Sequence, residues 1–216
     1  MDEGELLRLV RDARARAGKR RFKQSFELYV VLDPKRVKKE EVQLNEVVVL
    51  PNRFSEPPRV AVIAGAEAAL RAREAGADAV IPPEEVDRLS TNRAEVRRLV
   101  KSYDMFLAEA ALMARVGRTL GKYLGPRGKM PVPVPGAAQM GAAVERARSS
   151  VRVRARGQFS ISAKIGDEGM SDEELAENAA AVLDAIRAKL SQGERAIRKV
   201  VIKATMGEPV EAVVSP

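Results

Sequence analysis

The chain has 216 residues, of which 45% are hydrophobic, and a formal net charge of +8. It can therefore bury a core in one large domain or two small ones, and wholesale disorder is excluded. It has no cysteine and no histidine, which removes disulfides, thiol nucleophiles, imidazole acid–base chemistry and most zinc or redox sites.

In chain order, "MDEGELLRLVRDARARAG" starts acidic and reads as an amphipathic helix over residues 5–17, not as a signal peptide. Leu6, Val10 and Ala13 form its inner stripe, and Gly18 can end it. The basic cluster 19–23, "KRRFK", leads straight into the strand "SFELYVVL". There Phe26, Leu28, Val30 and Leu32 point one way, while Ser25, Glu27 and Tyr29 make a polar face. A charged loop, "DPKRVKKEEV", precedes a second strand over 46–51 that proline stops. "NRFSEPPR" (52–59) reads as a hinge or linker.

The texture then changes. "VAVIAG", "ADAVI" and "YDMFLAE" are short strands alternating with the helical segments "AEAALRAREAG", "PEEVDRL", "AEVRRLV" and "MARVGRTLGKYL". The loop "LGKYLGPRGKMPVPVP" (120–135) and a helix in "GAAQMGAAVERARSS" complete a block that reads as a small open α/β sheet. Longer strands, "SVRVRARG" and "QFSISAKIG", return next. In "SDEELAENAAAVLDAIRAKL" Ser171 and Glu174 form a capping box, and Leu175, Ala179, Val182, Ile186 and Leu190 trace one apolar face. "KVVIKATMGEPVEAVV" reads as a strand, a Gly/Pro turn and a short strand.

The expected architecture is α/β (α+β) with two domains. Residues 1–58 and 155–216 form a discontinuous domain, residues 59–154 an inserted one, and a hinge lies near Arg59 and Arg154.

The loop 120–135 looks built for a phosphate, but the P-loop pattern fails in two places. Tyr123 stands where the first glycine belongs, and Met130 replaces the hydroxyl residue. The dinucleotide fingerprint fails too, because "VIAGAEAAL" holds only Gly65. Asp33, Asp78, Asp104 and Glu109 sit near strand ends and read as caps or solvated charges. With no catalytic constellation, no cofactor and no metal site are expected. Basic segments at 19–23, 35–39, 120–135 and 146–156 together favour nucleic acid, with Phe22 placed inside one of them. "ATMGEP" reads as a strand-ending turn in which Thr205 offers a hydroxyl, Met206 an adaptable apolar arm and Gly207 close backbone approach.

The segment "LGKYLGPRGKMPVP", with "RFKQSFELYVVL", "NEVVVLP", "RVAVIAG", "LAENAAAVLDAI" and "KATMGEPVE" in that chain order around it, resembles the archaeal type of the ribosomal protein L-one family. The resemblance covers essentially the whole chain. It implies a split α/β sandwich made by both chain ends, with an inserted Rossmann-like three-layer α/β domain. It implies a monomeric, non-enzymatic, cytoplasmic and ribosome-associated protein that binds the 23S rRNA stalk and no membrane. It also implies a role in releasing deacylated tRNA from the exit site and repression of the protein's own mRNA. The implied RNA-binding residues are Arg21, Phe22, Ser25, Glu27, Thr205, Met206 and Gly207. Secondary contacts are Lys23, Gln158, Ser160, Lys199, Arg127 and Lys129, with Lys199 standing where the family has a serine. Glu27 would accept from a ribose 2′-hydroxyl or a base amine. Two other readings stay open on the residues alone: a nucleotide-using enzyme whose inserted domain holds the cofactor, and a general DNA- or RNA-coating protein.

Overall fold

The computed structural model describes residues 1–214, apart from the Ser90 side chain. It divides into two compact units. One is made of residues 1–56 and of the chain from 149 onward, the other of residues 57–148. The first unit begins with α1 (Glu3–Ala15), β1 (Ser25–Leu32) and β2 (Gln43–Val49). The second contains β3 (Val60–Ile63), α2 (Ala66–Glu74), β4 (Ala79–Ile81), α3 (Pro83–Thr91), α4 (Arg93–Ser102), β5 (Met105–Glu109), α5 (Met113–Leu124), β6 (Val132–Val134) and α6 (Met140–Arg148). The first unit resumes with β7 (Ser150–Arg156), β8 (Ser160–Asp167), α7 (Asp172–Lys189), β9 (Ile197–Ala204) and β10 (Val210–Val213).

In the first unit the antiparallel sheet has the order β10-β9-β1-β8, and β2 and β7 form a separate ribbon. The alternation of β1 sets the layering. Phe26, Leu28, Val30 and Leu32 are fully buried with Ile161 and Ile165 of β8 and Val200 and Ile202 of β9. Leu6, Val10 and Ala13 of α1 and Leu175, Ala179, Val182 and Ile186 of α7 close the same core. Each helix opens on a capping box, Asp2 with Glu5 and Ser171 with Glu174, which satisfies two otherwise unpaired N–H groups. Arg14 ties the helices together. Its guanidinium donates to Asp172 at 2.5 Å and to the Met170 carbonyl at 2.6 Å, and lies over the Phe26 ring.

Two expectations change here. The chain re-enters the first unit before residue 154, because β7 pairs with β2 from Gln43↔Arg156 to Val49↔Ser150. The stretch 52–56 is fastened to this unit rather than loose. The fully buried Asn178 amide donates to the Asn52 and Ile165 carbonyls (3.0 and 2.9 Å) and accepts from the Asn52 N–H at 3.0 Å. Phe54 is buried in the core, and the Ser55 hydroxyl donates to Asp167.

The second unit is a parallel sheet with the order β4-β3-β5-β6. Ala61, Ile63, Phe106 and Ala108 pack on one face against Val86, Val96, Val100, Val116, Leu120 and Leu124 of α3, α4 and α5. Helices α2 and α6 lie against the other face, giving three layers. The helix expected through "MARVGRTLGKYL" forms, and the loop that follows it ends in a strand the sequence reading did not assign. Helix α5 runs through Leu124, Gly128 turns the chain at φ +69, and Val132–Val134 is the edge strand β6. Pro133 disguises that strand in the sequence, yet proline is tolerated at a sheet edge.

Candidate nucleic-acid interface

The polar face of β1 carries Ser25, Glu27, Tyr29 and Val31, all half-buried. Register places Lys164, Ser162 and Ser160 of β8 beside Glu27, Tyr29 and Val31 on one side. Lys203, Val201 and Lys199 of β9 flank the same three residues on the other. The outer face of the sheet is thus a strip of hydroxyls and lysines around one glutamate.

At the Ser25 end the turn after β9 docks onto the start of β1. The Thr205 N–H donates to the Ser25 carbonyl at 2.9 Å. The Thr205 hydroxyl accepts from the Ser25 N–H at 3.0 Å and donates to the Ser25 carbonyl at 3.2 Å. Its only hydrogen is engaged, so toward a ligand this hydroxyl can only accept. Met206 and Phe22 are large apolar side chains at 59% and 52% exposure, flanked by exposed Arg21 and Arg20, whose guanidinium reaches the Met206 carbonyl at 3.4 Å. Gly207 packs on the end of α1. A Cβ there would sit 3.1 Å from the Ala17 Cα and 3.2 Å from the Ala204 Cβ. Its lack of a side chain serves the approach of its own helix. Lys19, Arg20, Arg21 and Lys203 have no ion pair among the described residues, which leaves their charge available to an anion.

Gln24 organises this end, and the sequence reading missed it. It is fully buried. Its amide nitrogen donates to the Gly18 carbonyl at 3.0 Å, the Ala17 carbonyl at 3.3 Å and the Glu168 carboxylate at 2.9 Å. Its oxygen accepts from the Met206 N–H at 3.0 Å. One side chain therefore joins the end of α1, the β9–β10 turn and the segment after β8. A polar residue hidden in a basic run gives no periodic signal, so only packing reveals it. A cleft of about 490 Å³ opens alongside, lined by Arg14, Ala17, Gly18, Lys19, Arg20 and Glu168.

Ser25, Thr205, Met206 and Gly207 therefore meet at one end, with Glu27 two residues along β1 and exposed Arg21 and Phe22 just before Ser25 in the chain. The secondary candidates scatter. Lys23 turns toward the stretch 52–56, donating to Ser55 at 2.5 Å and lying 3.4 Å from Asp167. Lys199 and Ser160 both face Val31, six residues or about 20 Å from Ser25 at the usual strand rise. Lys199 is paired with Glu211 at 2.5 Å. Gln158 is exposed just before β8.

In the second unit Arg127 is exposed. Lys129 is committed: its ammonium donates to the Val100 and Tyr103 carbonyls (3.0 and 2.6 Å) at the end of α4. The run 146–156 is divided between the units. Arg148 donates to Gly76 and Asp78, and Arg152 to Asn45 on the ribbon.

Electrostatics sharpen the picture at two carboxylates. The Tyr29 hydroxyl donates to Glu27 at 2.6 Å. That bond, with burial and the neighbouring negative charge, pushes the phenol up to about 12. Burial works to raise the Asp167 carboxyl. Hydrogen bonds from Ser55, Gly169 and Glu56, with the Lys23 ammonium, outweigh it and hold Asp167 below the ordinary value.

The acids near strand ends are occupied structurally. Asp78 accepts from the Val60 N–H, Asp104 from the Arg59 N–H and Asp33 from the Lys35 N–H. Strand order reverses between β3 and β5, where an open α/β sheet would seat a nucleotide. There the Glu109 carboxylate accepts from Gly65, the N-cap of α2, at 3.0 Å. It fills the position a phosphate would take and repels one. Among the described residues no acidic, cysteine or histidine group could hold a metal, and no helix is long and apolar enough to cross a membrane.

Fold and surface together define a two-unit α/β protein whose distinctive feature is a basic, apolar-tipped sheet face rather than a catalytic pocket. Comparison with known proteins places it: residues 13–208 match the model of the "Ribosomal protein L1p/L10e family", and the chain belongs to that family. It is similar to the "Large ribosomal subunit protein uL1" of Cenarchaeum symbiosum, 43% identical over 98% of this chain and 97% of the relative. The protein of that name from Thermococcus kodakarensis is 43% identical over 97% of each chain. That from Archaeoglobus fulgidus is 39% identical over 99% of each. The family is one of ribosomal proteins, not of enzymes.

Proposed function

We propose that this chain is a structural component of the large ribosomal subunit, cytoplasmic and ribosome-bound, that grips the 23S rRNA stalk with its first unit. The observation that carries the reading is the docking of the Thr205–Gly207 turn, with exposed Met206, onto Ser25 and Gln24 at the start of β1, the strand that carries Glu27 and is entered through exposed Phe22 and unpaired cations. The cations supply salt-dependent attraction to phosphates. Phe22 and Met206 supply flat and adaptable apolar contact for ribose and base. Glu27 and Thr205 supply acceptors, which suit a ribose 2′-hydroxyl. On the same reading the protein assists release of deacylated tRNA from the exit site, and its sheet face binds its own mRNA to repress translation. Arg127 on the Rossmann-like unit is a secondary contact. Lys129, engaged with α4, contributes fold rather than affinity.

The test is binding of a stalk rRNA transcript at fixed salt. Met206→Asp and Thr205→Ala weaken it strongly, while Arg127→Ala in the second unit changes it little. Wild-type affinity in the first two variants sinks the proposed interface. For the further roles, competition between stalk rRNA and the protein's own mRNA reads out a shared surface. The rate of deacylated tRNA departure from ribosomes with and without the protein reads out the exit-site role. The nucleotide-enzyme alternative predicts heat on titration with ATP or NAD, which the Glu109–Gly65 contact argues against.

A further inference from the structure

We propose that Tyr29 is a positioning residue of the RNA interface, holding one oxygen of the Glu27 carboxylate so that the other is presented to a ribose hydroxyl or base amine. The inference rests on the interface reading above. Glu27 and Tyr29 are two residues apart on one strand and so share its outer face. The tyrosine hydroxyl donates to Glu27 Oε2 at 2.6 Å. Glu27 Oε1 has neither hydrogen bond nor ion pair among the described residues.

That vacancy is notable because lysines are at hand. Register puts Lys203 on one side of Glu27 and Lys164 on the other, yet neither closes on it. The Lys164 ammonium lies 4.6 Å from the centre of the Phe54 ring. A glutamate serving only the sheet would take one of these partners, as Glu211 takes Lys199, which lies four residues from Lys203 on β9. Here the acid is held by a neutral donor, and its charge remains unspent.

The physical effect is preorganisation. A free glutamate has three rotatable bonds and loses that freedom when it receives a ligand. A glutamate already bonded to the rigid phenol has lost it before RNA arrives, so less of the binding energy is consumed. The half-buried ring orients the hydroxyl and removes water from one side of the carboxylate. The flanking lysines bring phosphates close, and the acid then selects sugar or base donors among them. Tyr29 touches Glu27, not the RNA, and all of its influence on binding passes through that carboxylate.

The experiment is a double-mutant cycle with the stalk rRNA transcript, using Tyr29→Phe, Glu27→Gln and the double variant. Thermal unfolding of each confirms the fold, since phenylalanine keeps the half-buried ring. Tyr29→Phe is expected to weaken binding about five- to tenfold, the usual worth of one ordinary intramolecular hydrogen bond. Its salt dependence stays at wild type because no phosphate contact is lost. The double variant binds no worse than Glu27→Gln alone. A scan of single 2′-deoxy and amine-lacking nucleotides gives a second readout. At the position where wild type loses affinity and Glu27→Gln does not, Tyr29→Phe loses only part. Wild-type or tighter binding by Tyr29→Phe, or losses that simply add in the double variant, overturns the positioning role and leaves the interface standing. Unchanged binding by both Glu27→Gln and Met206→Asp overturns the interface reading itself.

Discussion

Replacing Gln24 with methionine keeps the side chain's length and removes its amide. Four contacts go: three donated, to the Ala17 and Gly18 carbonyls and the Glu168 carboxylate, and one accepted from the Met206 N–H. The amide has two hydrogens, so one of the three donated contacts is shared, and about three full bonds are lost. Each is worth about 0.5–1.5 kcal/mol, more where a buried partner is left alone. Glu168 is half-exposed and recovers water. Gln24 itself is fully buried, so groups facing it inside do not recover so easily. The expected loss is about 2–4 kcal/mol in the first unit. Urea unfolding measures the total, and native-state hydrogen exchange on β1 and β9 assigns it to that unit. Met206, released from its anchor, should also lose its fixed place, and stalk rRNA affinity should fall about tenfold, one step of 1.4 kcal/mol. A loss under about 1 kcal/mol with wild-type RNA affinity would refute the claim that this amide holds the turn.

Gly207→Ala should cost about 1–3 kcal/mol, because the added methyl meets Ala17 and Ala204 at 3.1 and 3.2 Å; chemical denaturation checks it, and a neutral result would mean the helix end yields freely. Lys129→Met removes both ammonium bonds to the end of α4 and should lower second-unit stability by about 1.5–3 kcal/mol, leaving stalk affinity intact. Asp167 is held below its ordinary value in the fold. The stability it contributes is therefore present at neutral pH and lost as pH falls through the folded-state value. Asp167→Asn should lower stability at pH 7 and flatten the acid limb of a stability profile. Glu27→Gln should return Tyr29 from about 12 toward 10.0, seen as an extra phenolate step in an ultraviolet pH titration; an unshifted Tyr29 would mean Glu27 is not the cause.

The strand alternation of "SFELYVVL" and the Ser171–Glu174 box are local, and both are legible in the letters. So is the change of texture between the long antiparallel strands and the short parallel ones. The family segment 120–135 was visible as a motif and its helical start was legible, but its edge strand was not. It joins the last turn of α5 to the edge strand β6 through a turn over 125–131, with Lys129 spent on capping α4. The basic stretch 19–23 likewise read as one unit, whereas Lys23 belongs to the Asp167–Ser55 cluster and Arg21 and Phe22 stay exposed to solvent. Runs of like charge carry no directional information, and direction decides which cations remain for a ligand.

By itself the sequence determined the two-domain α/β plan, the inward face of β1, the exclusion of thiol, imidazole and P-loop chemistry, and the family. These depend on composition, period and motif, properties of neighbours along the chain. Only the tertiary structure decided that Gln24 braces the Met206 turn, that Thr205 spends its hydrogen on Ser25, that Tyr29 holds Glu27, and that Glu109 fills the position where a nucleotide phosphate would sit. Most of these join groups far apart in the chain, up to 182 residues for Gln24 and Met206. Such bonds form only where packing excludes water and fixes both partners at hydrogen-bond distance.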